Sequence, residues 1–279
     1  MSYGSLLVHV ENGSTSSDAR LALAVALADR FDAALIGVAA EAVRPPPVDG
    51  MGGALLVGDI MVAEDEQIQA DLEAAEQRFR AHPGVQDLET DWRAAVGRPV
   101  EVLAREARAA DLLVIGRDLE RLRAGSYRAL DPGEMVMAAG RPVLVVPSGA
   151  QRLSADHVLV GWKDAREARR ALWDASPFLR AAEEVHVVEV AAEAALDDAT
   201  DRVRDVVRHL ERHAVKARGE VRTQREASAA GELLLVAEQH GADLIVAGAY
   251  GHTRLREWVF GGVTRDLLRN SPKCCLLAH

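Results

Sequence analysis

The chain has 279 residues, of which 49% are hydrophobic and 27% charged, and its formal net charge is -10. This length is enough for two ordinary domains, and the composition is typical of a globular protein. Because no long Lys/Arg run offsets the acidic balance, we expect neither nucleic acid nor an anionic membrane as the main partner.

The N-terminal residues pass directly into a strand-like run, without the basic and small-residue features of a secretory signal. The apolar stretch 51–63 is too short to cross a bilayer. Cys274 and Cys275 are neighbours and would point to opposite faces of a strand, so a disulfide framework is not expected. We therefore expect a cytoplasmic protein.

Strand-like and helix-like segments alternate along the first half of the chain. Apolar runs predict strands within 5–11, 33–40, 85–92, 111–116 and 142–146. Helical periodicity predicts helices within 19–31, 64–81, 97–109 and 133–139. The stretches 44–53 and 117–132 are predicted to be irregular loops.

The same order begins again after residue 150. Strands are predicted within 157–162, 185–190, 220–225, 243–247 and 273–278, and helices within 164–179, 198–216 and 231–240. Asp164 and Glu167 have the spacing of a capping box at the start of the first of these helices.

The two halves repeat one unit. The run ADLLVIG at 110–116 corresponds to ADLIVAG at 242–248, and ARLAL at 19–23 corresponds to ARRAL at 168–172. Alternating strands and helices at this spacing favour parallel sheets covered on both faces. We predict two tandem Rossmann-like, doubly wound α/β domains at residues 1–149 and 150–279, each with a five-stranded, mostly parallel sheet. Their exposed last strands favour a homodimer or an intrachain pseudo-dimer.

A glycine-rich stretch in the second half is the candidate ligand site. The predicted strand at 243–247 ends at Gly248, and further glycines at 251, 261 and 262 precede a helix-like segment. Glycines allow the backbone to approach an anion, and a helix N-terminus offers free N–H groups. Four glycines at this spacing favour a phosphate site over a simple turn, with His252 and Arg254 adding positive charge.

The run GAYGHTRLREWVFGGVT at 248–264 resembles the G-x2-G-x9-G-[S/T/N] pattern of the universal stress proteins. The resemblance covers both halves and implies an adenine nucleotide alpha hydrolase-like fold. It also implies that ATP, possibly with Mg²⁺, binds the second domain, with adenine near the ends of the first two strands. The implied nucleotide-binding residues are Trp162, Lys163, Asp164, Val190, Gly248, Gly251, His252, Arg254, Gly261, Gly262, Val263 and Thr264.

Two positions in the second half depart from the family pattern. Gly262 replaces the usual hydroxyl residue, and Lys163 stands where nucleotide-binding members carry an aspartate after the first strand. Lys163 can approach a phosphate or block the base pocket, and Asp164 can be a ligand contact or only the helix cap. The first half lacks the second glycine and carries Glu11 at the acid position, so we do not expect it to bind ATP.

The resemblance implies a stress-response binding or sensor module with at most slow ATP hydrolysis, because no positioned general base is visible. The alternative is a stress protein that binds no nucleotide and acts through protein contacts. A slow nucleotide hydrolase is a further alternative. His209 and His213 have a spacing that can hold a metal, but an exposed amphipathic helix is the preferred interpretation. We therefore predict no metal site. We also predict no catalytic residue.

Overall fold

Ten strands form one continuous sheet in the order β3-β2-β1-β4-β5-β10-β9-β6-β7-β8. The computed structural model describes residues 2–43, 54–117, 126, 128–224, 228–250 and 262–279. The strands are β1 Ser5–His9, β2 Ala34–Glu41, β3 Thr90–Val96, β4 Leu112–Gly116, β5 Val143–Val146, β6 His157–Trp162, β7 Glu184–Ala191, β8 Ala217–Thr223, β9 Leu244–Gly248 and β10 Cys274–Ala278. All neighbouring strands are parallel except β5 and β10, which pair antiparallel.

Helices cover both faces of this sheet. In chain order they are α1 Thr15–Phe31, α2 Ala54–Ala81, α3 Pro99–Glu106, α4 Pro132–Ala138, α5 Arg166–Asp174, α6 Ser176–Ala181, α7 Leu196–Arg212, α8 Ala229–Gln239 and α9 Gly262–Asn270. One face packs against α1, α2, α5, α6 and α7, and the other packs against α3, α4, α8 and α9. The predicted fold class, two tandem doubly wound units of five strands each, is confirmed.

The two halves meet at their last strands, where Leu276 of β10 stands opposite Leu144 of β5. An aromatic cluster adds to this junction, because Phe178 of the second half contacts Phe31 and Tyr3 of the first, with ring centroids 5.1 and 5.7 Å apart. The Tyr3 hydroxyl donates to the carbonyl of Asp174 at 2.6 Å. The halves are thus joined within one chain, while a homodimer and the domain boundary at 149/150 stay predictions.

Four element boundaries differ from the predictions. The strand expected within 85–92 begins only at Thr90, because Pro83–Asp87 forms a 3-10 turn that buries Val85. Helix α2 begins at Ala54 rather than 64, since 54–63 contains helix-forming residues and no proline. The helix expected over 164–179 is divided into α5 and α6, where Pro177 occupies the first turn of α6. Strand β8 lies three residues earlier than its predicted start at 220.

Both cysteines lie in β10 and are buried free thiols that point to opposite faces of the sheet. Burial raises the pKa of Cys274 to about 12 and that of Cys275 to about 11. Since the thiolate is the reactive species, neither residue should react with a thiol reagent such as DTNB in the native protein at pH 8. Both should react after denaturation in urea. Fast reaction of the folded chain would contradict this burial.

Among the described residues, none of the helices combines the length and the apolarity needed to cross a bilayer. In the same part of the chain, no group of three or more His, Cys, Asp or Glu side chains is placed to hold a metal ion.

Candidate functional site

The carboxyl ends of β6 and β9 form a crevice in the second half. The two strands are parallel neighbours, with Gly161 opposite Ala247 near their ends. Helix α5, which follows β6, packs on one face of the sheet, and α9, which follows β9, packs on the other. A reversal of this kind is the place where open α/β sheets bind their ligands.

Gly248 ends β9 directly beneath the first turn of α5. A β-carbon on this residue would lie 2.5 Å from the backbone nitrogen of Ala168 and 2.6 Å from the carbonyl carbon of Glu167. Only glycine therefore lets α5 approach the strand this closely. The glycine that the sequence motif places at a phosphate has a packing role that the motif does not reveal.

Glu167 is a buried carboxylate at this contact, and Arg166 donates a hydrogen bond to it at 2.6 Å. Burial by itself raises the pKa of Glu167, but the hydrogen bond and the positive charge of Arg166 outweigh it and hold the pKa below its ordinary value. Glu167 therefore carries a negative charge, which Arg166 compensates.

Lys163 and Asp164 follow β6 and are both exposed. Within the described residues Lys163 makes no ion pair, so its ammonium group faces the solvent at the strand end. Asp164 pairs with Arg169 at 2.7 Å, and the residue before α5, Ala165, makes no side-chain cap. The capping role predicted for Asp164 with Glu167 is wrong, because Arg169 attracts the carboxylate away from the helix N–H groups.

Helix α9 begins with Gly262, which is exposed; a β-carbon there would meet none of the described residues within 4 Å. Val263 is half-buried and packs against the core. Thr264 is buried, and its hydroxyl accepts a hydrogen bond from the Tyr250 N–H at 3.3 Å. Thr264 thus holds the backbone that follows β9, a role that the sequence did not suggest.

The structure does not bring Trp162 and Val190 together. Trp162 packs in the core on the α5–α7 face, whereas Val190 packs against the core on the opposite face. The two strands are in register, with Trp162 opposite Glu189, so the neighbouring Val190 points the other way. The predicted Gly251, His252, Arg254 and Gly261 lie outside the described residues.

The corresponding crevice of the first half is filled by Arg20. This residue is only 2% exposed, and it donates to the His9 carbonyl at 2.8 Å and to Glu11 at 2.9 Å. A β-carbon on Gly116, the counterpart of Gly248, would overlap the Arg20 guanidinium. An internal ion pair therefore lies where a ligand would have to enter.

The last helix of the first half is also closed to an anion. The carboxylate of Asp131 accepts hydrogen bonds from the N–H groups of Gly133 and Glu134 at 2.7 and 3.1 Å. Arg117, another candidate for a positive charge there, instead donates to the Leu268 carbonyl at 3.1 Å, at the end of α9 in the other half. Both contacts use polar groups that a phosphate would need.

Arg20 and Arg169 occupy equivalent positions of the repeat but have opposite environments. Arg20 is buried against Glu11, whereas the side chain of Arg169 is 59% exposed and turns to Asp164. In the second half, Lys163 stands at the position of Glu11. Arg169 therefore has no acidic partner at the position of Glu11, and it pairs with Asp164 at the surface instead.

Comparison with known proteins agrees with the fold described above. Residues 155–279 match the family model of the Universal stress protein family. A universal stress protein from Archaeoglobus fulgidus DSM 4304 has a similar structure, with a TM-score of 0.72 and 15% identity over 98% of this chain and 95% of that chain. A functionally unknown protein from Pseudomonas aeruginosa PAO1 has a TM-score of 0.57 and 14% identity over 99% and 92% of the two chains. At these identities the likeness concerns the fold alone, and no curated protein matches the sequence.

Proposed function

Because residues 155–279 match the model of the Universal stress protein family, we propose that the chain is a member of that family and that its second domain binds ATP at the carboxyl ends of β6 and β9. The observation that carries the proposal is the contrast between the two crevices. Arg20 and Glu11 fill the first, whereas Arg169 is turned outward in the second. The first domain, residues 1–149, then serves as a nucleotide-free partner of residues 150–279.

Charge and backbone geometry support a phosphate in the second crevice. Lys163 offers an exposed ammonium group at the end of β6, and α9 presents its N-terminal N–H groups, beginning at the exposed Gly262. Helix N-termini favour anions because of their free N–H groups and their dipole. In this proposal the glycines at 248, 251, 261 and 262, with Val263, Thr264, His252 and Arg254, surround the phosphates. Asp164 and Val190 lie beside the nucleoside. Because the side chain of Trp162 is buried, the nucleoside can contact only the backbone of that residue.

Equilibrium binding of labelled ATP in the presence of Mg²⁺ tests the proposal. We expect saturable binding of one nucleotide per chain. Absence of saturation at millimolar ATP would overturn it and would favour the alternative, a universal stress protein that acts through protein contacts. Retention of intact ATP over hours in a single-turnover assay would exclude the further alternative, a slow nucleotide hydrolase.

Restoring the family's hydroxyl residue should strengthen ATP binding. Gly262→Ser is compatible with the described residues, because a β-carbon at this position meets none of them within 4 Å. A hydrogen bond to a charged group contributes about 1.5–3 kcal/mol, so the Kd for ATP should fall by about tenfold or more. The matched control is Gly262→Ala, which adds the β-carbon without the hydroxyl. Equal affinities of the two variants would show that the residue at 262 does not contact the phosphate.

We further propose that the protein acts in the cytoplasm, since its two buried free thiols suit a reducing compartment. Its assembly as a homodimer is a separate proposal, because β5 and β10 already pair within the chain. Light scattering of the purified protein distinguishes a monomer from a dimer.

A further inference from the structure

A pocket of about 340 Å³ opens on the outer face of the second half, between α5–α6 on one side and α7 on the other. Its apolar wall includes Trp162, Leu172 and Trp173 on one side and Val206 and Leu210 on the other. The volume lies at the lower end of the range of small-molecule sites, about 300–1,000 Å³. None of the described residues that line it comes from β9 or α9, so it is separate from the strand-end crevice.

Trp162 forms part of the floor of the pocket. It is 8% exposed, and its indole nitrogen is buried without a hydrogen-bond partner among the described residues. Because this nitrogen is inaccessible, Trp162 offers the pocket part of its ring and no hydrogen-bond donor. The floor is therefore an apolar aromatic surface.

Aromatic rings surround the same space. Trp173 lines the pocket and is 53% exposed, which is unusual for so large an apolar side chain. On the opposite wall His209 and His213 lie edge to face, with ring centroids 4.8 Å apart. Offset and edge-to-face contacts favour a planar aromatic ligand over a branched aliphatic one.

The charges on the two walls differ in sign. Arg169 and Arg180 lie on the α5–α6 wall. Arg169 forms an ion pair with Asp164, whereas Arg180 forms none within the described residues. Asp205 stands on the α7 side. An anionic group is therefore attracted to the α5–α6 wall and repelled from the other, which also orients the ligand.

We propose that this pocket binds a small aromatic carboxylate, whose ring lies between Trp162, Trp173 and the α7 wall and whose carboxylate meets Arg180. This site goes beyond the proposed nucleotide site. It adjoins that site at the end of β6 and at Arg169, which lines the pocket and pairs with Asp164. Since Lys163 follows Trp162 directly, ligand in the pocket contacts the residue next to the crevice.

Titration of the full chain with 2-naphthoate, followed by tryptophan fluorescence and calorimetry, tests the proposal. Two of the four tryptophans line the pocket, so binding should change the emission. We expect one site per chain with a Kd of about 10–100 µM, from typical ligand efficiencies. The uncharged analogue 2-naphthalenemethanol should bind about tenfold more weakly, as a lost charge-assisted contact requires. Absence of saturation below millimolar naphthoate would overturn the proposal.

Arg180→Ala should weaken naphthoate binding about tenfold because it removes the unpaired cation. Arg208→Ala is the matched control, since Arg208 is exposed on α7 and does not line the pocket. Both residues are exposed, so both variants should fold. Equal Kd values for the two variants would contradict the assigned carboxylate position.

Val206→Phe should fill the pocket and abolish naphthoate binding. ATP should not displace naphthoate, and displacement would show that the pocket belongs to the nucleotide site. If light scattering finds that Val206→Phe converts a dimer to a monomer, a second copy covers this face and the proposal is wrong. These outcomes do not depend on whether the crevice binds ATP.

Discussion

Replacing Arg20 by methionine is expected to destabilise the first half by about 3–5 kcal/mol, the usual result of removing one partner of a buried ion pair. The change deprives Glu11, the His9 carbonyl and the Ser17 hydroxyl of their common donor. Methionine keeps most of the side-chain volume, so the loss comes mainly from the broken ion pair with Glu11 and the lost hydrogen bonds. Chemical denaturation followed by circular dichroism measures the change in the free energy of unfolding.

The repeat provides a matched control for this variant. Arg169→Met changes the equivalent residue of the second half, whose ion pair with Asp164 is exposed on both sides. Exposed pairs contribute about 0–1 kcal/mol, so this variant should be close to the wild type. The double variant Arg20→Met/Glu11→Gln should lose less free energy of unfolding than Arg20→Met alone, because the neutral amide at position 11 costs less to bury than the carboxylate. Similar effects of Arg20→Met and Arg169→Met would contradict the burial of Arg20.

Gly248→Ala is expected to destabilise the second half by about 1–3 kcal/mol, as overpacking of a closely packed contact does. The added carbon meets the backbone of Ala168 and Glu167, which cannot move away as the end of a flexible side chain can. Helix α5 must therefore shift from the end of β9. Thermal unfolding measures the stability, and the ATP titration described above measures the accompanying change at the crevice.

Gly262→Ala is the control for this second variant. Gly262 is exposed, and within the described part of the chain an added β-carbon meets no atom within 4 Å, so the stability of the protein should change by less than about 0.5 kcal/mol. The comparison separates two glycines that belong to one motif. A loss of stability of the same size in both variants would show that the close approach of α5 does not determine the need for glycine at 248.

The repeat made most of the fold predictable. Matching segments such as ADLLVIG and ADLIVAG predicted equivalent strands, which became β4 and β9. Boundaries were less predictable where local chemistry competed with periodicity. Pro177 divides a helix that the apolar pattern continues, and Asp164 bonds Arg169 rather than the helix N–H groups that its spacing favours.

The candidate site was only partly predictable. The glycine spacing places the predicted ligand site at the end of β9, but it does not distinguish a phosphate contact from the packing contact that Gly248 makes with α5. The position of Thr264 in the motif predicts a phosphate contact, whereas in the structure its hydroxyl accepts a hydrogen bond from the Tyr250 N–H. Alternation along β7 separates Val190 from Trp162, and this could have been inferred once the strand register was known.

By itself the sequence determined the architecture and the half of the chain that retains a glycine-rich crevice. Periodicity, turn residues and an internal repeat are local properties, so they can be read without coordinates. Only the tertiary structure decided which crevice is filled. Arg20 and Arg169 are equivalent in the repeat, but Glu11 pairs with the first arginine in the interior, whereas Asp164 pairs with the second at the surface. That balance depends on charges brought together by folding, which no single segment of the sequence contains.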